Sequence, residues 1–281
     1  MISVVVCTYN RGERLLKCLE AFAKIQTQYI WEMIVVDNHS SDDTLALLNN
    51  FSKQASYSIK SVCEKKQGLG NARNRGVMSA KYDVIAMTDD DCYPAIDYID
   101  SIAASLEKHD KKDTNLGFIG GRVELYDKRD LPVTIQTHPH HQYFNKRRVV
   151  VPGHIHGANL IFKKQAIVDN GFFDPLFGSG AMFPCEDIDL MASCLESGLS
   201  GVYDPTIVVF HDHGRRTKEE LIKLETSYDL GRGAFLYKHI ICKRELRKQY
   251  FLYWCKESLK MKFKGLKNEI AAAVKYARQI K

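Results

Sequence analysis

Long apolar runs are missing from this sequence of 281 residues, and so are cysteine pairs with the CxxC spacing of a zinc finger. Without about 20 consecutive apolar residues, no transmembrane helix is expected. The first residues also lack the basic and apolar segments of a signal peptide. The eight cysteines are scattered, which predicts reduced, buried thiols in a cytoplasmic protein rather than disulfides.

Charge is distributed unevenly along the chain. The formal net charge is +6, but residues 238–281 alone carry +10. The remaining 237 residues therefore have a net charge of −4. A mildly acidic body followed by a basic tail is expected.

The first half of the sequence alternates short apolar runs with helical patterns. Four runs have the length and β-branched content of buried strands, at residues 4–7, 33–36, 59–62 and 84–87. Helical patterns separate them, so repeated βα units predict an α/β fold with a mostly parallel sheet flanked by helices. Ligands of such folds bind beyond the carboxyl ends of the strands.

Three consecutive aspartates, Asp89 to Asp91, follow the fourth run. In extended geometry Asp89 and Asp91 project to one side and Asp90 to the other. Two carboxylates about 4 Å apart repel by roughly 4 kcal/mol at an effective dielectric near 20, so a cation is expected between them. Oxygen ligands favour Mg²⁺ or Mn²⁺. The alternative is a solvated acidic turn before Pro94.

A glycine-containing stretch at residues 68–76 invites comparison with dinucleotide-binding loops. Arg73 stands where the third glycine of that fingerprint would be, and the stretch follows the third strand rather than the first. We therefore reject a dinucleotide fold. Arg73 and Arg75 either contact phosphate or base groups, or are solvent-exposed helix charges.

Several motifs in a fixed order resemble those of one enzyme family. They are Thr-Tyr-Asn at 8–10, the turn at 36–42, Gly-Asn-Ala-Arg-Asn at 70–74 and the aspartates at 89–91. The chain resembles family 2 inverting glycosyltransferases of the GT-A fold up to about residue 215. The resemblance implies a nucleotide-sugar half at about 1–115, an acceptor half at about 116–215, and leaves 216–281 as a basic helical extension.

The resemblance also implies roles for individual residues. Asp91 would bind a divalent metal, Mn²⁺ or Mg²⁺, with His211 as a further ligand and His213 as the substitute candidate. Arg215 and Arg216 would neutralise the leaving diphosphate or lie on a surface loop. Gly157 and Asn159 would line the acceptor side. The donor nucleotide would be held by Thr8, Tyr9, Asn10, Arg11, Asp37, Asn38, Arg73, Asp89 and Asp90.

A second acidic group, Glu186 and Asp187, begins a helical pattern that follows Pro184. By the same resemblance Asp187 would be the catalytic base and Glu186 would orient the acceptor or the base. An inverting transfer needs one carboxylate that takes the proton of the attacking hydroxyl. The alternative is that these acids only complement the helix dipole, at about 0.3–1 kcal/mol each.

Residues 126–150 look irregular and polar, and we expect a mobile loop over the active site. His138, His140 and His141 lie in it, but they form no i, i+4 pair and have no partner cysteine, so a zinc site is not expected.

The basic tail allows two structures. Its interleaved lysines and aromatic residues suit an anionic membrane surface, with residues 238–281 in contact. Alternatively, helices of the tail pack on the catalytic body or on a second subunit as a homo-oligomer. Nucleic acid is not expected, because the tail lacks a recognisable module.

Together with the basic tail, the resemblance implies a metal-dependent transfer of a sugar from a UDP-sugar to a hydroxyl of a glycan or lipid-linked acceptor, in cell-surface polysaccharide assembly. We expect a cytoplasmic protein, with the inner face of the cell membrane as a further location if the tail binds lipid. The alternatives are a nucleotidyltransferase on a similar fold and a non-catalytic module that binds nucleotide sugars.

Overall fold

The computed structural model describes residues 1–150, 152–261 and 263–280. Nine strands of this described part form one sheet in the order β3-β2-β1-β4-β8-β6-β9-β5, with β7 also paired to β9. The strands are β1 (Ile2–Thr8), β2 (Trp31–Asp37), β3 (Ile59–Cys63), β4 (Val84–Asp89), β5 (Cys92–Pro94), β6 (Leu116–Leu125), β7 (Gln142–Phe144), β8 (Asn159–Lys163) and β9 (Ser200–His211).

Helices flank the sheet, which confirms the α/β fold. Strands β1 to β4 are parallel to one another, whereas β8 runs antiparallel to both of its neighbours. The helices are α1 (Gly12–Phe22), α2 (Thr44–Ser52), α3 (Leu69–Ser79), α4 (Tyr98–Asp110), α5 (Lys164–Asp169), α6 (Glu186–Glu196), α7 (Lys218–Tyr237), α8 (Arg247–Lys260) and α9 (Leu266–Gln279), and a π-helical segment, Lys238–Lys243, joins α7 to α8.

The central strands are apolar throughout because both faces of the sheet are covered. In β1, Val5 packs in one core cluster and its neighbours Val4 and Val6 pack in the other. Alternate side chains of a strand point to opposite faces, so a continuous β-branched run supplies both cores.

Strand register brings the polar strand ends together. Thr8 pairs with Asp37 across β1 and β2, and Cys7 pairs with Asp89 across β1 and β4. The motifs at residues 8–10, 36–42 and 89–91 therefore meet at one edge of the sheet, as the parallel arrangement requires.

The segment 126–150 is not the free loop that we expected. Its strand β7 pairs with β9, and Gln136 forms a bridge with Val123 of β6. Backbone pairing thus holds parts of this segment along the sheet, and its mobility stays a prediction.

The cysteines are all free thiols. Cys18, Cys92 and Cys194 are buried as predicted. Two more, Cys7 and Cys185, are partly buried. The remaining three are exposed, which differs from the prediction: Cys63, Cys242 and Cys255.

The carboxyl-terminal helices pack on the body of the protein. Phe235, Tyr250 and Tyr276 are buried in the same core cluster as residues of the sheet. This packing agrees with the second of the two structures that the tail allowed. Contact of the tail with a membrane stays a prediction, and none of the helices in the described residues combines the length and apolar content of a membrane span.

Buried charges attach this carboxyl-terminal region to helix α6. The two ring nitrogens of His239 lie 3.0 Å from an oxygen of Asp189 and 2.6 Å from an oxygen of Glu196. The ammonium group of Lys238 contacts Asp189 at 2.7 Å and Asp174 at 2.8 Å. Burial opposes the charged imidazolium, but the hydrogen bonds to Asp189 and Glu196 outweigh it and raise the pKa of His239.

The His239 contacts predict a pH-dependent stability. A histidine whose pKa is raised by folding stabilises the protein fully below its unfolded pKa of about 6.5, and this contribution is lost as the pH rises through the folded pKa. His239→Gln should therefore lower the free energy of unfolding by about 3 kcal/mol at pH 6, because it removes one partner of a buried ion pair, and by less at pH 9. Urea unfolding at both pH values measures this difference.

The matched control is His140→Gln, since His140 is exposed. It should leave the pH dependence of the wild-type protein unchanged. Equal destabilisation by His239→Gln at pH 6 and pH 9 would show that His239 is not charged in the folded protein.

Candidate functional site

A cavity of about 600 Å³ opens at the carboxyl edge of the parallel strands. Most of the residues predicted for the site contribute to its wall, which brings together motifs spread over some 200 residues of sequence. Those that line it are Thr8, Tyr9, Arg11, Asn38, Arg73, Asp89, Asp90, Asp91, Gly157, Glu186, Asp187 and His211.

The acidic turn after β4 faces a guanidinium group. Arg11 forms ion pairs with both Asp90, at 2.8 Å, and Asp91, and Arg14 lies 3.3 Å from Asp91. The hydroxyl of Thr8 donates to Asp90 at 2.7 Å. Burial raises the pKa of Asp90 to about 7 despite the nearby Arg11. The expectation of a cation beside these carboxylates is met in part by arginine side chains.

His211 lies beside Asp91. Its Nε2 atom is 3.4 Å from an Asp91 carboxylate oxygen, because Cys92 at the start of β5 pairs with His211 at the end of β9. Burial disfavours both charges, but their mutual hydrogen bond outweighs it, so the pKa of Asp91 lies well below its ordinary value and the pKa of His211 is raised. His213 instead faces Asp130 at 3.7 Å.

The donor atoms at this point suit a divalent metal. Asp89, Asp91, Cys92 and His211 each offer one ligand atom, and these four atoms lie within 4.8 Å of one another. Burial raises the pKa of the Cys92 thiol well above its usual value, because the protein interior disfavours the charged thiolate. Two carboxylates and an imidazole fit Mn²⁺ better than Mg²⁺, which prefers oxygen ligands alone.

Arg73 connects the two acidic parts of the site. It is 3% exposed, and its guanidinium lies 3.4 Å from Asp89, 3.0 Å from Glu186 and 3.1 Å from the carbonyl oxygen of Gly157. The planar fork of arginine can meet three acceptors in different directions, which an ammonium group cannot do as well. Arg73 is therefore a buried bridge rather than an exposed helix charge.

Helix α6 begins at the second acidic group. The preceding residue, Cys185, has a left-handed backbone with φ of 87°, which is uncommon for a residue with a side chain. This turn brings both Glu186 and Asp187 into the cavity wall. Burial raises the pKa of Glu186 to about 7.

Gly157 lets the chain approach Asp187 closely. Its amide donates to an Asp187 carboxylate oxygen at 2.8 Å. A Cβ atom at this position would lie 2.9 Å from the same oxygen and 3.0 Å from Arg73. A small residue is thus required here by the packing of two charged side chains, whatever contact it makes with a ligand.

Three predicted site residues lie outside the cavity wall. Asn10 hydrogen-bonds to the turn at Ser40 and Ser41, and the Asp37 carboxylate accepts from the backbone of Ser40. Asn159 is fully buried.

Asn159 has a structural reason for its burial. The pairing of β6 with β9 is irregular between Gly121 and Arg122. The Asn159 amide donates to the carbonyl oxygens of Arg122 and Ile207 at 2.9 and 3.0 Å, one from each strand at this break. Contact of Asn159 with an acceptor is therefore not supported.

Sequence reasoning missed part of the wall. Helix α7, which precedes the basic tail, contributes Leu224, Ser227 and Tyr228, although no pattern in the sequence indicated that it reaches the site. Arg215 also lines the cavity, whereas Arg216 pairs with Asp127 and Asp130. The other residues of the wall that we did not assign are Cys7, Gln67, Leu69, Ala72, Thr134, His156, Ala158, Ser179, Gly180, Pro184 and Cys185.

The family model of glycosyl transferase family 2 matches residues 3–168. The chain therefore belongs to this family. It is 28% identical over 125 residues to the glycosyltransferase AglE of Haloferax volcanii, a match that covers 44% of this chain and 40% of that protein. It is 27% identical over 179 residues to the poly-β-1,6-N-acetyl-D-glucosamine synthase of Staphylococcus epidermidis, covering 62% of this chain and 42% of the synthase.

Solved structures share the fold. A mannosyltransferase of Pyrobaculum calidifontis, in complex with GDP-mannose and Mn²⁺, superposes with a TM-score of 0.64 at 17% identity over 99% of this chain and 75% of its own. Residues 1–349 of Staphylococcus aureus TarS, in complex with UDP-GlcNAc, give a TM-score of 0.57 at 16% identity over 96% of this chain and 79% of that one. The chain spans about two fifths of the length of the curated relatives named above.

The bridge made by Arg73 predicts a large effect of a conservative substitution. Arg73→Lys keeps the charge but leaves buried acceptors of Asp89, Glu186 or Gly157 without a donor, which should lower the free energy of unfolding by about 1–3 kcal/mol. Arg75→Lys is the matched control, because Arg75 lies two residues further on in α3 and is exposed. It should change stability by less than about 0.5 kcal/mol in urea unfolding. Equal effects of the two substitutions would contradict the bridging role.

Proposed function

We propose that this protein transfers a sugar from a nucleotide diphosphate to an acceptor hydroxyl with inversion at the anomeric carbon. The observation that carries the proposal is the shared cavity: the Asp91–His211 pair and Asp187 both line it. Arg73 and Gly157 connect them, since Arg73 contacts both Asp89 and the Gly157 carbonyl, and the Gly157 amide donates to Asp187. An electrophile held at the first group thus faces a base at the second.

The donor side of the cavity would bind the nucleotide diphosphate. Asp91 and His211 would hold a divalent ion, with Asp89 as a further oxygen ligand, and the ion would supply positive charge for the departing diphosphate. Arg11 and Arg14 contact the same carboxylate in this structure, so their guanidinium groups could turn to the phosphates once Asp91 has a metal partner. Arg215, which also lines the cavity, adds a further positive charge.

The acceptor side contains the base. In the proposed step Asp187 takes the proton of the acceptor hydroxyl while the hydroxyl oxygen forms a bond to C1 of the sugar. The bond from C1 to the diphosphate oxygen breaks, and the nucleoside diphosphate leaves with its electron pair. The backbone amides of Gly157 and Ile188 each donate to one oxygen of the Asp187 carboxylate at 2.8 Å, which fixes the orientation of the proposed base.

A UDP-sugar is the proposed donor and a glycan or lipid-linked glycan the proposed acceptor. The support comes from the relatives: TarS was solved with UDP-GlcNAc, and the Staphylococcus epidermidis protein is a poly-N-acetylglucosamine synthase. The mannosyltransferase was solved with GDP-mannose, so the identity of the donor nucleotide should be measured first. Polysaccharide assembly at the cytoplasmic side of a membrane, with the basic tail near lipid, is part of the same proposal.

The base can be tested separately from donor binding. Asp187→Asn keeps an oxygen that accepts from the Gly157 amide but removes the proton acceptor, so transfer from labelled UDP-sugar should fall by about a thousandfold or more. The dissociation constant of UDP with Mn²⁺, measured by titration calorimetry, should change by less than about threefold. Asp169→Asn is the control, because Asp169 is exposed on α5, and it should leave both quantities unchanged.

The same assay distinguishes the alternatives. A nucleotidyltransferase would consume labelled nucleoside triphosphates and leave UDP-sugars intact. A binding module would take up UDP with Mn²⁺ but show no turnover even in the wild-type protein. Loss of UDP binding in Asp187→Asn would mean that this residue belongs to the donor or metal site instead of acting as the base.

A further inference from the structure

A second cluster of metal-ligating side chains lies away from the cavity. His109 near the end of α4, His141 just before β7, and Asp204 in β9 each offer one ligand atom, and these three atoms lie within 4.8 Å of one another. None of the three residues lines the cavity described above. They come from three elements that are 32 or more residues apart in sequence, so the cluster exists only in the folded protein.

The distances fit a tetrahedral metal. The Nε2 atoms of His109 and His141 lie 3.5 and 3.2 Å from the same oxygen of Asp204. Bonds of about 2.1 Å at a tetrahedral angle place neighbouring ligand atoms about 3.4 Å apart. Two imidazole nitrogens and one carboxylate oxygen are ligands that zinc accepts, with a fourth position left for water.

His109 supplies an independent sign of a missing ligand. The side chain is 3% exposed, and among the residues that the structure describes its Nε2 atom makes no hydrogen bond, its contact with Asp204 being 3.5 Å long. Buried polar atoms without a hydrogen-bonding partner are uncommon in native proteins.

Asp204 is held in position as ligating carboxylates commonly are. One oxygen accepts from the backbone amide and hydroxyl of Thr206 at 3.0 and 2.7 Å. The oxygen that faces the histidines accepts from Ser105 at 2.7 Å. Hydrogen bonds of this kind orient a ligand and raise the affinity of a site.

A lysine competes for this position. The Lys108 ammonium lies 2.9 Å from Nε2 of His141 and can only donate there, so the lone pair of this nitrogen is turned to Lys108 and a metal ion would have to displace the ammonium. Lys108 is exposed, and its side chain can turn into solvent when another cation arrives.

We propose that His109, His141 and Asp204 form a zinc site that joins helix α4, the segment 126–150 and strand β9. The site is separate from the sugar-transfer chemistry and acts on stability. Zinc at 100 times its dissociation constant should raise the Tm by about 5 °C.

The test removes the candidate metal site of the cavity first, with the double variant Asp91→Asn and His211→Gln. Equilibrium dialysis of this variant against micromolar Zn²⁺ should find about one ion per chain, and Co²⁺ should give the visible absorption of a tetrahedral site. Adding His141→Gln should abolish both signals. Adding His140→Gln, one residue away and exposed, should leave them intact.

Lys108 provides a test that does not remove a ligand. Lys108→Gln takes away a competing charge and should tighten Zn²⁺ binding at least threefold. Absence of bound zinc in the double variant, retention of zinc after His141→Gln, or unchanged affinity in Lys108→Gln would overturn the proposal. Such results would leave a hydrogen-bonded cluster without a metal, and they would not affect the proposed transferase chemistry.

Discussion

The arrangement of the site depends on one buried guanidinium group. Arg73 lies between Asp89 at the end of β4 and Glu186 at the start of α6, and its guanidinium pairs with both carboxylates. Loss of one partner from a buried pair costs about 3–5 kcal/mol, so the charges hold one another in place. Because Arg73 also binds the Gly157 carbonyl, and the Gly157 amide binds Asp187, the donor and acceptor sides share one set of contacts.

The carboxyl-terminal region extends this set of contacts beyond the part of the chain that matches the family model. Helix α6 carries Glu186 and Asp187 in its first turn. Its Asp189 forms ion pairs with Lys238 and His239, which fix the position of the helix. Helix α7 adds part of the cavity wall directly. The basic tail is therefore part of the structure that positions the candidate base, in addition to any surface that it offers to a membrane.

Local signals in the sequence were sufficient for the fold and for the acidic motifs. Apolar runs such as residues 4–7 are strands because both faces of the sheet are buried, and parallel strands bring the turns that follow them to one edge. Contacts between distant elements could not be predicted. Asn159 looked like a ligand contact, yet it satisfies carbonyl groups at a break between β6 and β9 that no local pattern reveals. His109 and Asp204 likewise meet only because of the sheet topology.

The most direct measurement is the anomalous scattering of Mn²⁺ in a crystal soaked with UDP and manganese. We expect a single strong peak between Asp91 and His211, next to the diphosphate, with Asp187 on the opposite wall of the same cavity. Arg11 should have moved from Asp91 towards the phosphates. A peak away from Asp91, or a diphosphate bound on the far side of Asp187, would contradict this expectation.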